Sequence, residues 1–204
     1  MAQIFPTKAN LMATQKSLEL AKLGYELMDR KRNILVREMM QLVDEAKAVE
    51  SRIGEAYKEA YGYLRLANIT LGVCGNFARA VPVETALELD CKSVMGVEIP
   101  TVTLPETQPH PHYGFRNTNS YLDEAYIRFN EVKQLTARLA EVQASVFRLA
   151  DAVKKTQKRA NALNNIMIPQ FTETVKFITE ALDEKEREDF TRLKVVKSQK
   201  EKAK

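Results

Sequence analysis

The sequence predicts an all-α-dominated fold: a long antiparallel two-helix coiled coil with a small irregular central lobe carrying a short β-hairpin. Two observations predict the helices. Apolar or small residues recur in alternating steps of three and four, and the 204 residues include only 7 Gly and 7 Pro. The lobe is predicted because five of the prolines fall within residues 82–112. We therefore assign residues 1–67 and 121–204 to coiled-coil helices and residues 68–120 to the lobe.

The composition excludes several classes of protein. A hydrophobic fraction of 45% is too high for a disordered chain. No window approaches the roughly 18 consecutive apolar residues of a membrane-spanning helix, and the N-terminus lacks the layout of a signal peptide. Two cysteines, Cys74 and Cys91, are too few for a disulfide scaffold, and we interpret both as buried small hydrophobes. We therefore expect a cytoplasmic protein.

The first long helix is predicted from a heptad seam in which every member but Arg32 is apolar or small. Mixed charges occupy the positions between, as expected for a solvated face. The seam comprises Leu11, Thr14, Leu18, Ala21, Tyr25, Met28, Arg32, Leu35, Met39, Leu42, Ala46, Val49, Ile53, Ala56, Ala60, Tyr63 and Ala67.

Arg32 is a cation within this seam, and such residues often specify register. If Leu11 faces Val195 in the antiparallel hairpin, Arg32 lies opposite Glu173 and Thr174. This alignment predicts an Arg32–Glu173 contact that fixes the register. The alternative is that Arg32 extends out of the seam into water.

The central lobe is predicted from its turn residues and its β-branched segments. Gly72 and Gly75 mark the exit from the first helix. Residues 85–89 are compatible with a short helical turn. Residues 93–95 and 97–102, separated by a glycine, suggest two short strands. Residues 105–119 are predicted to form a loop.

The second long helix repeats the heptad pattern, with a register slip near residue 134. Its strongest members are Leu135, Leu139, Val142, Val146, Leu149, Val153, Thr156, Ala160, Leu163 and Met167. The same phase continues through Thr174, Phe177 and Ala181. Pro169 lies inside the pattern, so we predict a local kink in a continuing helix. The alternative is that Pro169 ends one helix and starts another.

The sequence offers little for catalysis. It contains neither a phosphate-cradling GxxxxGK run nor a dinucleotide-binding fingerprint. His110 and His112 have no nearby cysteine or carboxylate set, so an exposed loop is favoured over a metal site. We therefore predict a non-enzyme without cofactor or metal.

Positive charge concentrates at the C-terminal end. Six bases accompany a single acid there: Arg192, Lys194, Lys197, Lys200, Lys202 and Lys204. This end is either a solvated, frayed tail or a surface for an acidic partner. Nucleic acid is disfavoured as a partner, because aromatic residues are not interleaved with the bases.

Two blocks at opposite ends of the sequence resemble the signatures of the D subunit of V/A-type ATPases and ATP synthases. The first block carries Pro6, Thr7, Lys8, Leu11, Leu18, Ala21, Gly24, Lys31, Arg32 and Leu35. The second carries Arg159, Asn161, Ala162, Leu163, Ile168, Pro169, Thr174, Ile178, Leu182, Glu184, Glu186, Arg187, Arg192, Leu193 and Lys194. The middle region matches the family only loosely.

The resemblance implies a central-stalk rotor shaft that couples ATP hydrolysis or synthesis to transport of H⁺ or Na⁺. Its implied partners are the catalytic hexamer, the small F subunit of the central stalk and the adaptor on the membrane ring. The implied location is cytoplasmic, peripheral to the membrane and without membrane insertion. Family members also carry a β-hairpin that corresponds here to residues 93–102. The competing hypothesis is a coiled coil that tethers to a membrane surface without an ATPase.

Within this interpretation, two groups of residues are candidates for partner contacts. The hairpin residues Val97, Ile99 and Val102 are candidates for contact with other stalk subunits. The candidates for contact with the catalytic hexamer are Pro6, Thr7, Lys8, Arg30, Lys31, Arg32, Arg192, Lys194 and Lys197.

Overall fold

The computed structural model describes residues 5–105, 110–116 and 118–202. Three long helices, α1 (Lys8–Leu71), α3 (Ser120–Ala162) and α4 (Ile168–Lys202), account for most of them. A π-helical turn (Leu163–Met167) joins α3 to α4. The lobe contains the short helix α2 (Gly75–Ala80) and the antiparallel strands β1 (Glu88–Val94) and β2 (Val97–Thr103). The predicted fold class is confirmed.

The described chain forms two compact units. The first comprises the residues up to Arg32 together with those from Lys154 onwards, and the second comprises Asn33–Val153. In both units the contacts between the helices run antiparallel. The prediction of three domains at 1–67, 68–120 and 121–204 stays a prediction.

Local signals define both ends of α1. The Thr7 hydroxyl accepts a 3.2 Å hydrogen bond from the Asn10 amide, which satisfies a donor that the first helical turn leaves free. At the other end Gly72 adopts a φ of +80°, and its amide bonds to the Asn68 carbonyl. Glycine takes this left-handed conformation without a steric penalty, so the helix ends there.

The heptad seam of α1 is confirmed by burial. Every buried residue of the helix belongs to the predicted set: Ala21, Leu35, Val49, Ile53, Ala60 and Ala67. Several are alanines, which leave room for close approach of a partner helix. The spacing of apolar residues was therefore sufficient to identify the packed face of this helix.

The chain remains helical through Pro169, so the alternative that Pro169 ends a helix is wrong. The amide of Ile168 bonds to the Leu163 carbonyl five residues earlier, and Ile168 itself has α-helical dihedral angles. Proline lacks an amide proton and clashes with the carbonyl four residues before it. A wider π-turn just before it accommodates that break. The predicted local kink at Pro169 stays a prediction.

The π-turn changes which residues of α4 are buried. A π-turn takes one more residue than an α-helical turn, so the heptad phase beyond it comes one residue later. Ile178 is completely buried, whereas the neighbouring Phe177, which the uninterrupted phase placed in the seam, is 57% exposed. The predicted phase through Phe177 was therefore wrong by one residue.

Two interhelical ion-pair clusters lie in the second unit. Arg138 of α3 donates from Nη2 to Glu45 of α1 at 2.6 Å and from Nη1 to Glu141 of its own helix at 2.8 Å. Arg128, ten residues earlier on α3, has the same arrangement. It lies 3.2 Å from Glu131 of its own helix and 3.8 Å from Glu59 of α1. Each arginine thus joins an acid three residues ahead to an acid on the partner helix.

The lobe differs from its prediction in two details. Residues 82–87 form no regular structure and lead into β1, so the predicted helical turn at 85–89 is wrong. The two strands are longer than predicted, and they meet at Met95 and Gly96, with φ values of 51° and 75°. Positive φ at both central residues defines a type I′ turn, whose twist matches that of the strands.

Candidate functional site

The candidate site in the first unit begins at Arg32, which lies between α1 and α3. Its Nη2 lies 2.6 Å from the Asp29 carboxylate, and its Nη1 donates a 2.9 Å hydrogen bond to the Gln157 side chain. Gln157 in turn donates to Asn161 at 2.7 Å. Arg32 thus bridges the two helices through a polar network, and the alternative of an arginine extended into water is wrong.

The predicted contact between Arg32 and Glu173 is also wrong. Gln157 precedes Glu173 by sixteen residues, which is about 24 Å along a helix and far beyond the reach of one side chain. A second contact also contradicts the predicted alignment of α1 with α4, because Lys8 lies 2.9 Å from Glu186, nine residues before Val195. Leu11 therefore does not face Val195, as the sequence-based alignment assumed.

The corrected register leaves the end of α4 without a partner helix within the described residues. The last recorded contact with α1 is at Glu186, and α4 continues for sixteen further residues to Lys202. Every residue from Asp183 to Glu201 is exposed. We call residues 187–202 the α4 extension. Its large apolar side chains are Phe190, Leu193, Val195 and Val196.

Four of the bases predicted on this extension, Arg192, Lys194, Lys197 and Lys200, are exposed, and two of them have acidic neighbours on the same helix. Arg192 lies 3.5 Å from Glu188 and 3.9 Å from Asp189, and Lys197 lies 4.0 Å from Glu201. Lys194 has no recorded ion pair within the described residues. Lys204 lies outside the described residues. The extension therefore presents both apolar and basic groups to its surroundings.

The predicted residues near the start of α1 have diverse surroundings. Pro6 is half-buried, Thr7 caps the helix, and Lys8 pairs with Glu186. Arg30 is exposed and pairs with Glu26, while Lys31 is half-buried. The structure thus brings Lys8 close to the beginning of the α4 extension, while Thr7 has a local structural role.

A second apolar stripe runs along α1 outside the predicted seam. Met12, Leu20, Leu23 and Leu27 are all more than half exposed, and none belongs to the heptad seam. On a helix they fall within one arc that is roughly opposite the buried Ala21. An exposed apolar stripe of this kind is a candidate surface for protein contact. The signal was present as a second set of helical spacings outside the seam.

In the second unit, the structure places the predicted hairpin residues in partly covered positions. Val97, Ile99 and Val102 of β2 are half-buried, whereas Leu89 of β1 and the preceding Leu87 are exposed. The most exposed apolar side chains of the hairpin region are therefore not those that the sequence singled out. The β-hairpin itself lies where the resemblance implied.

A cavity of about 790 Å³ lies between α2, α3 and the extended residues that precede β1. Most of its wall is apolar, and one end carries an ion pair in which Lys133 lies 2.8 Å from Glu84. The hydrogen bond from Lys133 lowers the pKa of the Glu84 carboxyl, aided by the Ala86 amide. The ion pair ties the extended residues 82–87 to α3.

Tyr113 is a buried residue of the lobe with a polar hydroxyl group, and no pattern in the sequence pointed to it. Its hydroxyl donates a 2.8 Å hydrogen bond to Asp123, and its ring contacts Phe77 and Tyr126 edge to face. Burial raises the pKa of the Tyr113 hydroxyl, and the adjacent Asp123 raises it further. Cys74 packs in the same cluster, as predicted, but Cys91 is exposed, contrary to prediction.

The described ranges contain no cluster of three or more side chains suited to a metal ion. His110 and His112 are exposed in irregular backbone, as the loop interpretation expected. Among the helices in the described parts of the chain, none is both long and apolar enough to cross a membrane.

Long antiparallel helix pairs with exposed apolar and basic side chains place the described residues in the class of long-helix, coiled-coil-like proteins. The family model that describes the D subunit of ATP synthases matches residues 10–198. The chain belongs to this family, and the resemblance found in its two end blocks is confirmed.

Several relatives match over nearly their whole length. The D subunit of the V-type ATP synthase from Thermotoga neapolitana is 40% identical over 196 residues, which cover 95% of this chain and 97% of the relative. The D subunit of the A-type ATP synthase from Pyrococcus furiosus is 36% identical over 201 residues, covering 96% and 94%. That of Methanobrevibacter smithii is 35% identical over 200 residues, covering 96% and 87%.

Proposed function

We propose that this chain is the central rotor shaft of a V/A-type ATP synthase. It couples nucleotide turnover in the catalytic hexamer to rotation of the membrane ring and to transport of H⁺ or Na⁺. The observation that carries the proposal is the match to the D-subunit family over residues 10–198. The long helix pairs, which can transmit torque through many packed seam contacts, support it.

The shaft contributes no catalytic group of its own in this proposal. The hexamer supplies nucleotide, Mg²⁺ and catalytic residues, and the shaft supplies contacts that differ among the interfaces of the hexamer at each angle. A ligand shifts a conformational equilibrium only through such differences in contact free energy. Hydrolysis therefore changes which shaft orientation is most stable, and driven rotation does the reverse.

The α4 extension and the start of α1 are the proposed contacts with the hexamer. The extension exposes Phe190 and Leu193 beside Arg192 and Lys194, which suits a wall with apolar and acidic groups. The stripe at Met12, Leu20, Leu23 and Leu27 adds apolar surface to the same unit. We propose that the lobe contacts the F subunit and the adaptor of the membrane ring, which keeps the complex peripheral to the membrane on its cytoplasmic side.

The proposal is tested by co-expressing the full set of ATP synthase subunits with a shaft that ends at Asp189. Loss of residues 190–204 removes most of the exposed apolar and basic groups of the extension and leaves the Lys8–Glu186 contact. We expect the complex to co-purify in nearly normal yield but to transport several-fold fewer ions per ATP hydrolysed. A matched control replaces the exposed Lys58 of α1, which lies outside the proposed contacts, with Gln. Unchanged coupling in the truncated complex would contradict the assigned role of the extension.

The competing hypothesis, a membrane-surface tether, predicts a different outcome. The isolated chain would then bind anionic lipid vesicles at physiological salt through its basic end. The rotor proposal predicts co-purification with a nucleotide-hydrolysing hexamer. Vesicle binding without such co-purification would overturn it.

A further inference from the structure

The geometry of the β-hairpin determines which backbone groups point outwards. A two-residue type I′ loop is flanked by a hydrogen-bonded pair, which here is Val94 with Val97. Hydrogen-bonded and non-hydrogen-bonded pairs then alternate along the antiparallel ladder. Leu89, Cys91 and Ser93 of β1 therefore direct their amides and carbonyls away from β2.

The outer edge of β2 is already protected. Its outward positions include Pro100, which has no amide proton to offer. The carbonyl of Glu98 is also outward, and it accepts a 3.1 Å hydrogen bond from Nη1 of Arg148 on α3. This contact agrees with the alternation deduced from the turn. It also shows that the β2 edge faces the helix.

The outer edge of β1 has no comparable protection. Leu89, Cys91 and Ser93 are exposed, and none has a recorded partner for its outward amide within the described ranges. β1 contains no proline, and its described residues show no bulge in the pairing with β2. Three amides and three carbonyls are thus arrayed at the spacing that an added strand requires.

We propose that the outer edge of β1 accepts an extended segment of another subunit of the assembly as a third, antiparallel strand. This inference rests on the proposed function, which supplies the neighbouring subunits. Glu88, Asp90 and Lys92 lie on one face of β1 and carry two negative charges and one positive. Opposite charges stabilise directly facing positions. The partner segment therefore carries a base opposite Asp90 and an acid opposite Lys92.

Another subunit fits this edge better than a second copy of the chain. Three outward residues supply about six hydrogen bonds, and their contact area lies far below the roughly 1,000 Å² of a stable interface between free proteins. Inside an assembly, other contacts hold the partner nearby and raise its effective concentration. A short strand addition is then sufficient.

Residue-resolved amide hydrogen exchange tests the proposal on the full chain, alone and in the co-purified complex. In the isolated chain, we expect the outward amides of Leu89, Cys91 and Ser93 to exchange faster than the inward amides of Asp90 and Lys92. In the complex, the outward amides should slow at least tenfold. Unchanged outward exchange in the complex overturns the proposal.

A proline variant distinguishes the addition of a strand from burial of the β1 edge by a partner that forms no backbone hydrogen bonds with it. Cys91→Pro removes the central outward donor but no bond to β2, because Cys91 faces Pro100 in a non-hydrogen-bonded pair. Pro100 itself shows that the hairpin accepts proline at an outward position. In complexes with Cys91→Pro, we expect Leu89 and Ser93 to lose their protection, whereas the matched Cys91→Ala variant keeps it. Protection that persists in Cys91→Pro overturns the proposal.

Two further outcomes are distinguishable. If the outward amides of β1 exchanged more slowly at higher concentrations of the isolated chain, the edge would pair with a second copy of the chain. That result would overturn the proposal that another subunit binds there. Failure of the wild-type chain to co-purify with the other subunits would overturn the proposed function, and this inference with it. Co-purification without outward protection would overturn this inference alone.

Discussion

Arg32 donates a 2.9 Å hydrogen bond from Nη1 to the side-chain oxygen of Gln157, and this bond aligns the two helices of the first unit. The same guanidinium lies 2.6 Å from Asp29. A cation in an apolar seam is favourable only where its donors are satisfied, so this position specifies one alignment of the helices. The alignment also determines where α4 passes the start of α1.

The Arg32 network should contribute measurably to stability. We expect Arg32→Met to lower the free energy of unfolding by about 1–2 kcal/mol, because Gln157 and Asp29 each lose a charged donor while the site is partly exposed. The matched control Glu173→Gln should change it by less than about 0.5 kcal/mol. Urea unfolding followed by circular dichroism measures both. A stable Arg32→Met chain with a destabilised Glu173→Gln chain would favour the alignment in which Arg32 contacts Glu173.

The neighbouring residues Phe177 and Ile178 of α4 should lose very different amounts of stability when each is truncated to alanine. Ile178→Ala removes a completely buried side chain and should cost about 2–4 kcal/mol, because it leaves a cavity in the seam. Phe177→Ala removes a larger but mostly exposed side chain and should cost less than about 0.5 kcal/mol. Thermal unfolding of the isolated chain compares them. Equal losses would mean that the π-turn does not shift the seam.

The Arg138–Glu45 pair should show coupling that depends on salt. Its side chains are 48% and 38% exposed, so a double-mutant cycle with Arg138→Met and Glu45→Gln should give only about 0.5–1 kcal/mol. The coupling should shrink in 1 M salt because mobile ions screen the pair. The Lys47–Asp44 pair, at 3.8 Å and more than 70% exposed, provides the control and should show almost none. Equal coupling energies in the two pairs would contradict the prediction that the Arg138–Glu45 ion pair stabilises the packing of α3 against α1.

Tyr113 should make stability sensitive to alkaline pH. Because folding raises its pKa, its contribution is fully present below the unfolded value near 10 and is lost as pH rises towards the folded value. Tyr113→Phe should therefore be less stable than wild type by about 1–2 kcal/mol at pH 7, and the gap should narrow above pH 10. The exposed Tyr121→Phe serves as the control. A gap that widens with pH would contradict this assignment.

The sequence by itself determined the helical class, the seam of α1, the hairpin and the family. Those features depend on the spacing of side chains along the chain, and the packed seam residues from Ala21 to Ala67 follow it without exception. The family resemblance of the two end blocks likewise depends on the identity of individual residues. No knowledge of which helix faces which was needed.

Only the tertiary structure decided the register between the helices, the phase of α4 and the protected edge of the hairpin. Similar heptads pair acceptably in several alignments, so periodicity alone could not choose between Gln157 and Glu173 as the neighbour of Arg32. The π-turn before Pro169 is a backbone response to a missing amide, and its extra residue moves Ile178 into the seam in place of Phe177. Spacing specifies the faces of helices, whereas their alignment depends on contacts between residues far apart in the chain.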